Sequence, residues 1–543
     1  MSDRRLTSRR AVLKVSATAA ALAASAGVGS AHDKGSTDST SDDGDHDHTD
    51  ASVHGDTGNV ELLDYHSLGD VGPSSESGSA TDPHYGGLSE IRTRGDYAYV
   101  SVFSSKDPTN NRGLAILDIS EFNAAENASD LDDAELEVVS FLRNDNDAAA
   151  VMDVKVSGDG DYVFLSKQPL TALFEETDPT PSTDDDTDTS AGASALEAVD
   201  VSDPTDPTVV GRYDEWTTGP HNAWHHRIGG TDYVFAIKDV DDETAGMYVF
   251  EFDRATGALL LVNRWTREGD FGDGEVVGDG GTYIHDVVVQ DDPRLEHAVA
   301  YVSYWDAGLF ALDASDPTDL SVVGHHTAER VHYSEPSPTF VDGKRVVVAG
   351  QETPSQEDGS SGYLYLLDAD GLDDGYDGTD NVDRLDTWDW QSNVTFGDYT
   401  LSPHNFEVTE GGYVHVGHYH GGTRFLELDE SDWSLAEKGY FQAATDVPED
   451  SKMTGLNHAA PFTWAAVAQN GVTFASDVNT GVYAMRFKPD SDLSTAAAGV
   501  GAAALGGLLY RYRDRAAGAL ERLTDAREDE SHRVPTDATH DGS

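Results

Sequence analysis

The sequence predicts an all-β fold, a seven-bladed β-propeller of four-stranded blades whose ring is closed by an N-terminal strand. Short runs of alternating β-branched and aromatic residues end at Gly, Asp or Pro, which is typical of strands and turns. These runs recur in groups at intervals of roughly 50–60 residues, the spacing expected of propeller blades. No stretch shows the 3.6-residue period of a long amphipathic helix.

Each repeat unit contains a pair of adjacent strand patterns, such as "AYVSYWD" (300–306) followed by "LFALDASDPTD" (309–319). A shorter apolar stretch precedes the pair, and most pairs are followed by a fourth run. Seven such units can be counted between residues 60 and 489. The last unit lacks its fourth strand, and "VELLDYHSL" (60–68) resembles the missing one. Strands from both ends of this region therefore close the ring and leave no open sheet edge.

Residues 1–31 are typical of a twin-arginine-type signal peptide. Arg9 and Arg10 stand in "SRRAVLK", and the uncharged segment 15–31 that follows ends in small residues. Twin-arginine export carries proteins that have already folded, often around a metal or cofactor. An ordinary basic secretory signal is the alternative. We expect residues 32–59, which are polar and of low complexity, to form an acidic disordered linker.

Residues 493–510 form an uncharged stretch, at the lower length limit for a transmembrane helix. Arg511, Arg513 and Arg515 follow directly, as at a cytoplasmic membrane boundary. The sequence thus predicts an anchor in the lipid of the cytoplasmic membrane, with the propeller on the extracellular side and a charged tail at 511–543. A surface helix or a linker is the alternative interpretation of this segment.

The composition excludes several classes of partner and chemistry. The chain has 100 acidic and 35 basic residues, a net charge of −65, and the acidic residues are spread along its whole length. This distribution indicates adaptation to a salt-rich medium, as in haloarchaeal proteins, because salt screens the self-repulsion. Nucleic acid is excluded as a partner, since phosphate contacts require clustered Lys and Arg. Without cysteine, any metal must be bound by His and carboxylates.

Histidines recur at the start of the blades, where the first strand lies nearest the propeller axis. Equivalent positions in different blades converge on that axis, and converging imidazoles can bind zinc, copper or iron. We therefore predict a transition metal, copper, iron, zinc or manganese, on His221, His285, His404 and His458. Histidines that only fill a polar channel are the alternative. Carboxylates at comparable positions in other blades could complete the site; these are Glu90, Asp153 and Glu335.

A second group of histidines lies in "HVGHYHGG" (415–422), at a turn expected to surround the same mouth of the channel. We assign His418 and His420 as candidate catalytic proton carriers, because imidazole titrates near neutral pH. Aromatic residues are expected to form the walls of this mouth: Trp224, Tyr304, Trp305 and Tyr419. Asn222, Asp286 and Asn405 stand beside the predicted ligands and could orient their rings.

The segments "LEAVDVSDPTDPTVVG" (196–211) and "LFALDASDPTDLSVVG" (309–324) resemble the LVIVD-repeat family, in which a strand of that pattern precedes Ser-Asp-Pro. The resemblance implies a propeller and names no activity. The layout of residues 284–319 is more loosely similar to blades of selenium-binding-protein-type methanethiol oxidases, which use His-bound copper. Carotenoid oxygenases likewise hold iron on four axial histidines. The cysteines common in the methanethiol oxidase family are absent here.

Two functions of different classes follow from these observations. The first is an exported metal-dependent enzyme, an oxidoreductase or a hydrolase, that acts on a small substrate at the channel mouth. The second is a non-enzymatic cell-surface propeller that binds an unknown extracellular ligand and uses its histidines structurally. No Ser-His-Asp order, phosphate loop or nucleotide fingerprint favours a third class.

Overall fold

A computed structural model describes residues 56–68, 86–105, 112–146, 149–169, 193–216, 219–238, 245–267, 283–352, 362–390, 401–443 and 461–489. The predicted signal peptide, most of the linker, the predicted anchor and the charged tail lie outside these residues. Within the described part of the chain, no helix is long and apolar enough to cross a membrane.

The strands form seven antiparallel sheets arranged as the blades of a propeller, which confirms the predicted all-β fold. Blade 1 contains β3 Gly86–Arg94, β4 Tyr97–Ser105, β5 Gly113–Asp118 and β6 Glu137–Arg143. Blade 2 contains β7 Ala149–Val156, β8 Tyr162–Pro169, β9 Ala195–Asp200 and β10 Thr208–Tyr213. Blade 3 contains β11 Asn222–Ile228, β12 Thr231–Lys238, β13 Gly246–Asp253 and β14 Ala258–Trp265. Blades 4 and 5 contain β15 Ile284–Asp292, β16 His297–Tyr304, β17 Gly308–Asp313 and β18 Ser321–His326; β19 Val331–Pro336, β20 Val346–Gln351, β21 Tyr363–Asp368 and β22 Asp383–Asp389.

Blade 6 contains β23 Phe406–Val408, β24 Tyr413–Gly417, β25 Thr423–Asp429 and β26 Ser434–Gln442, and blade 7 contains β27 Thr463–Gln469, β28 Val472–Asp477 and β29 Gly481–Phe487. A fifth strand, β1 (Asp56–Gly58), pairs with β26 at the outer edge of blade 6. It falls at the end of the segment for which the sequence predicts a linker. Helical structure in the described residues is short: α1 Ser120–Ala124, α2 Ala128–Leu131 and the 3₁₀ helix Asp370–Asp374.

The ring closes through β2 (Val60–His66), which supplies the fourth strand of blade 7 as the sequence predicts. This strand pairs antiparallel with β29, from Val60 opposite Phe487 to His66 opposite Val482. Gly481, with φ of 143°, allows the close approach, since a Cβ there would lie 2.4 Å from the carbonyl oxygen of His66. The first and last parts of the propeller sequence, β2 and β29, are therefore joined in one sheet.

The core lies between neighbouring blades, because alternating side chains of each sheet face opposite sides. Phe235 and Val249 of blade 3 belong to the same buried cluster as Val302 and Phe310 of blade 4. The interface between the first and last blades is built in the same way. Apolar packing therefore continues around the ring and places the first strand of every blade at the axis.

The aspartate that ends the third strand of a blade shapes the turn that follows. The Asp200 carboxylate accepts a hydrogen bond from the Ser202 N–H at 3.0 Å, and Asp313 accepts one from Ser315 at 2.8 Å. Asp253, in a blade without Ser-Asp-Pro, accepts one from Ala255 at 3.0 Å. The aspartate is thus the part of the repeat that makes the turn, because its side chain replaces a backbone acceptor.

Replacing Arg345 with methionine is expected to destabilise the protein by about 3–5 kcal/mol, because a buried carboxylate would lose its partner. Arg345 Nη2 lies 2.9 Å from Asp292 Oδ1, and its Nη1 donates to the Ala369 carbonyl at 2.9 Å. Both charged side chains are buried, and the pair links blades 4 and 5. Denaturant unfolding in salt-rich buffer measures the loss. Lys344→Met is the matched control, because the ion pair of Lys344 with Asp368 is only half-buried and its loss should cost about 0–1 kcal/mol. Equal losses in the two variants would contradict the argument.

The stability of the fold should fall as the pH rises through the titration of Asp477. Burial raises the pKa of Asp477 to about 6, although the Asn479 N–H donates to this carboxyl group at 3.0 Å. The folded protein then keeps a proton that the unfolded chain has already released. The free energy of unfolding should decrease by up to about 1.4 kcal/mol per pH unit between pH ~4 and ~6. Asp477→Asn should lack this contribution, which unfolding curves across that range test; parallel profiles would refute it.

Candidate metal centre

In β7, β15, β19 and β27, each the first strand of its blade, a β-bulge inserts one extra residue. In β15, Ile284 and Asp286 pair with consecutive residues of β16, so that His285 is the extra residue. His332 holds the same place in β19. Bulges re-aim side chains in this way at functional sites. The equivalent residues of two other blades are Met152 in β7 and Trp464 in β27.

Four imidazole rings from successive blades form a continuous row at the axis. The ring centroids of His221 and His285 are 4.5 Å apart, those of His285 and His332 are 4.1 Å apart, and those of His332 and His404 are 4.2 Å apart. His285, His332 and His404 are buried, and His221 is half-buried. The structure thus brings together three of the four predicted ligands and adds His332. His458 lies outside the described residues.

A carboxylate completes a three-residue cluster with two of these imidazoles. One ligand atom from each of His285, His332 and Glu352 lies within 4.8 Å of the others, and His332 Nε2 is 3.6 Å from Glu352 Oε2. Glu352 follows β20 and is held by its backbone N–H, which donates to the Arg330 carbonyl at 3.1 Å. The Tyr419 hydroxyl donates to the other oxygen of Glu352.

Several polar atoms of this cluster are buried without a hydrogen bond. Nδ1 of His285, Nδ1 of His332 and Oε2 of Glu352 have no hydrogen-bond partner within the part of the chain that the structure describes. Buried polar atoms normally have partners, because an unsatisfied one costs roughly 1–3 kcal/mol. Each of the three residues thus contributes one unsatisfied polar atom to a buried cluster, as expected of a site that binds a metal cation.

The orientation of His404 also suits metal binding. Its Nδ1 lies 2.9 Å from the carbonyl oxygen of Trp464. Because a carbonyl can only accept, the proton must reside on Nδ1, and Nε2 carries the lone pair. Histidine ligands are commonly fixed in this manner by a backbone carbonyl.

Burial sets the charge state of the cluster. It lowers the pKa of His404 to about 3 and holds the pKa of His285 and of His332 well below the usual value, helped by the neighbouring imidazoles. These rings are neutral near pH 7 and can donate a lone pair. Burial also raises the pKa of Glu352 to about 7, despite the hydrogen bond from Tyr419. A bound cation would favour the ionised carboxylate instead.

Aromatic rings enclose the row of histidines. Trp305 stacks on His285 with centroids 5.3 Å apart, and Tyr283 stacks on Trp305 at 5.3 Å. In blade 6, Tyr419 holds the position of Trp305 and lies 4.8 Å from His404. The predicted aromatic walls are therefore present in two blades. Of the other two predicted wall residues, Tyr304 packs against Phe310 between blades and Trp224 lies nearer the opposite mouth.

The two predicted proton carriers occupy different surroundings. His418 is fully buried between blades 5 and 6, with Trp390 5.2 Å and Trp388 6.0 Å from its ring. Burial lowers the pKa of His418 to about 3, so the structure does not place a titrating group there. His420 is half-buried and packs edge-on against Phe462 at 4.7 Å, beside Tyr419.

The polar residues beside the ligands form a layer of their own beneath the histidines. Asn222 Nδ2 donates to Asp286 at 2.6 Å, and Asn405 Nδ2 donates to Glu90. Asp153, in the same register, accepts from the Ala223 N–H at 3.1 Å. These side chains bond to one another or to backbone instead of orienting the imidazoles. The layer fills the channel below the row of rings.

Sequence reasoning missed His332 and Glu352. Blade 5 was aligned on Glu335, which lies three residues beyond His332, the residue that occupies the axial position. The pattern of an apolar residue, histidine and a polar residue, shared by Ile284-His285-Asp286 and Val331-His332-Tyr333, could have identified His332. No comparable signal marks Glu352, since its place depends on the course of the chain after β20.

Comparison with known proteins identifies the repeat. The LVIVD repeat model matches residues 86–123, 192–215 and 299–327. No curated protein matches the chain significantly. Similar solved structures include a periplasmic gluconolactonase, PpgL, of Pseudomonas aeruginosa, with 11% identity and a TM-score of 0.44 over 74% of this chain and 99% of that one. The Cps50 (Swd1) β-propeller domain of Myceliophteria thermophila has 9% identity and a TM-score of 0.43, over 74% and 97%. Sqt1 of Saccharomyces cerevisiae has 11% identity and a TM-score of 0.41, over 74% of this chain and 83% of that one.

These matches concern fold and repeat and name no activity for this chain. The LVIVD matches include the two segments on which the sequence resemblance depends, in blades 2 and 4, and add blade 1. The seven sheets and the closing strand β2 account for the remaining units. The described part of the chain is a seven-bladed β-propeller that contains LVIVD repeats in three of its blades.

Proposed function

We propose that this protein is a metal-dependent oxidoreductase whose metal is bound at the propeller axis by His285, His332 and Glu352. The observation that carries the proposal is the convergence of one ligand atom from each of these three buried residues, all within 4.8 Å of one another. Two imidazoles and one carboxylate form a ligand set that suits iron and related transition metals and leaves positions for a substrate. Copper, zinc and manganese remain candidates, because the donor types suit them as well.

The protein's own residues have separate parts in this proposal. His285 and His332 supply neutral nitrogen ligands, and Tyr419 holds the Glu352 carboxylate in place through its hydroxyl group. His404 and His221 continue the row and can complete the coordination or contact the substrate. A bound transition metal supplies Lewis-acid or electron-transfer chemistry. Oxidation is favoured over hydrolysis because two imidazoles and one carboxylate with open positions are the ligand set of non-haem iron oxygenases.

We further propose that the protein acts outside the cell. The twin-arginine pattern supports export after folding, which would allow the metal to be loaded in the cytoplasm. Residues 493–510 would then anchor the propeller in the cytoplasmic membrane, and the net charge of −65 suits a salt-rich medium. The substrate would be a small extracellular molecule that reaches the channel mouth.

Elemental analysis of the propeller, secreted by a salt-adapted host, tests the proposal. We expect about one tightly bound transition metal per chain, retained through dialysis and lost in His285→Ala. Oxidase assays with the loaded protein then test the reaction class. A folded protein that carries no metal would refute the enzyme proposal and favour a binding propeller with structural histidines.

A further inference from the structure

A second cavity opens at the other end of the channel. Its volume is about 580 Å³, within the range of small-molecule pockets. The course of the chain separates it from the metal centre. Glu335 lines the cavity three residues beyond His332 on β19, and Glu407 lines it on β23, three residues beyond His404, which precedes that strand. At about 3.3 Å per residue, this places the two levels roughly 10 Å apart. The polar layer with Asp286 and Asn405 lies between them.

Two carboxyl groups from neighbouring blades, those of Glu335 and Glu407, line this cavity and repel each other when both are ionised. Glu335 Oε2 accepts a hydrogen bond from the Tyr333 hydroxyl at 2.8 Å, and Glu407 Oε2 accepts one from the Ala468 N–H at 2.6 Å. These bonds fix both side chains in place. Burial and mutual repulsion raise the pKa of Glu335 to about 8, and burial raises that of Glu407 to about 7. A cation bound beside the two carboxyl groups would stabilise their ionised form and replace the proton that they otherwise retain.

The nearest protein cation is already engaged. Arg92 Nη2 lies 2.8 Å from Glu90 Oε1 and donates to the Tyr333 hydroxyl at 3.2 Å. Its guanidinium group also lies over the Trp224 ring, 5.5 Å from the centroid. Glu90 also pairs with Lys155, whose Nζ is 3.7 Å from Glu90 Oε1 and also contacts Asp153. These two buried cations are therefore shared among the carboxyl groups of Glu90, Asp153, Glu335 and Glu407, which outnumber them.

The rest of the lining favours an organic cation over a bare metal ion. Val467 and Trp224 give the wall an apolar part, and the rim is a rigid amide network in which Gln469 Nε2 donates to Asn123 Oδ1 at 2.8 Å. Hard divalent cations prefer 6–8 oxygen ligands. The lining offers only a few carboxyl groups, those of Asp96, Glu335 and Glu407, which is too few oxygen ligands for such an ion.

We propose that this cavity binds a small organic ammonium ion, with its nitrogen between the carboxyl groups of Glu335 and Glu407 and its carbon chain against Val467 and Trp224. The site is separate from the metal centre, and neither depends on the other for its ligands. In this proposal the channel binds a metal at one end and an amine at the other.

Calorimetric titration of the folded propeller with n-butylamine and its neutral counterpart n-butanol tests this proposal. We expect the amine to bind and the alcohol to give no signal. Glu335→Gln and Glu407→Gln should each weaken amine binding by at least about tenfold, which corresponds to about 1.4 kcal/mol. Glu410→Gln is the matched control, since Glu410 is exposed at the turn after β23, and it should leave the affinity unchanged.

Thermal unfolding in the same buffer checks that the variants remain folded. Glutamine keeps the shape of the side chain and removes the repulsion, so both variants should fold. No heat from the amine at millimolar concentration, or equal affinity in the wild type and both variants, would overturn the proposal. A signal that calcium chloride gives and the amine does not would also overturn it and identify an inorganic cation site.

Discussion

His332→Ala is expected to lower metal affinity by more than the roughly 10–100-fold that loss of an outer-shell partner costs. His332 contributes one of the three converging ligand atoms and lies between His285 and His404 in the row of rings. Its removal leaves one imidazole and one carboxylate in the cluster. Elemental analysis after dialysis, together with titration of the apo protein with each candidate metal, measures the effect. Any oxidase activity should fall in proportion to the metal lost.

His415→Ala is the matched control for this substitution. His415 is also buried, but it lies between blades 6 and 7, where its Nδ1 is 3.0 Å from the Thr473 hydroxyl. This variant should lose stability and keep its metal, whereas His332→Ala should lose its metal. If His332→Ala retained a full equivalent of metal, the cluster would not be the binding site.

Most of the fold could be predicted because the blades are local structures. Alternation of apolar and polar residues defines the strands of a blade, and the aspartate at the end of the third strand defines the next turn, as at Asp200 and Asp313. The closing strand β2 was predictable because Val60–His66 repeats the pattern of a fourth strand. The strand β1 was not, since a pairing of three residues at a sheet edge leaves almost no pattern in the sequence.

The candidate site was predictable only in part, because its residues come from several blades. His221, His285 and His404 share a repeat position, which repetition reveals. The level of His285 and of His332, however, depends on a bulge that shifts the register by one residue. Alignment of blade 5 on Glu335 therefore assigned the axial position to a residue three places beyond His332. Glu352 enters from outside the repeat pattern. Convergence of such residues is a tertiary property that the spacing of one blade does not encode.

Removal of the closing strand should have the largest effect on stability. In a chain that begins after residue 66, β29 would lose its partner and the faces covered by Val60 and Tyr65 would become exposed. The Tyr65 ring lies 4.9 Å from that of Tyr483, and its hydroxyl donates to the Thr480 carbonyl. Burial of the two apolar side chains alone accounts for about 3–6 kcal/mol. We expect the midpoint of unfolding to fall sharply and the open sheet edge to promote aggregation.

A chain that begins at Asn59 is the matched control, because it loses only β1 and keeps the whole of β2. Both truncated chains lack the segment before the propeller, so the difference between them isolates the closing strand. Denaturant unfolding and light scattering in the same salt-rich buffer compare them. The control should unfold cooperatively, close to the longer protein, because β1 buries little side-chain surface. Equal stability of the two truncated chains would mean that the ring does not depend on its closing strand. The three remaining strands of blade 7 would then be stable through packing against blades 1 and 6 alone.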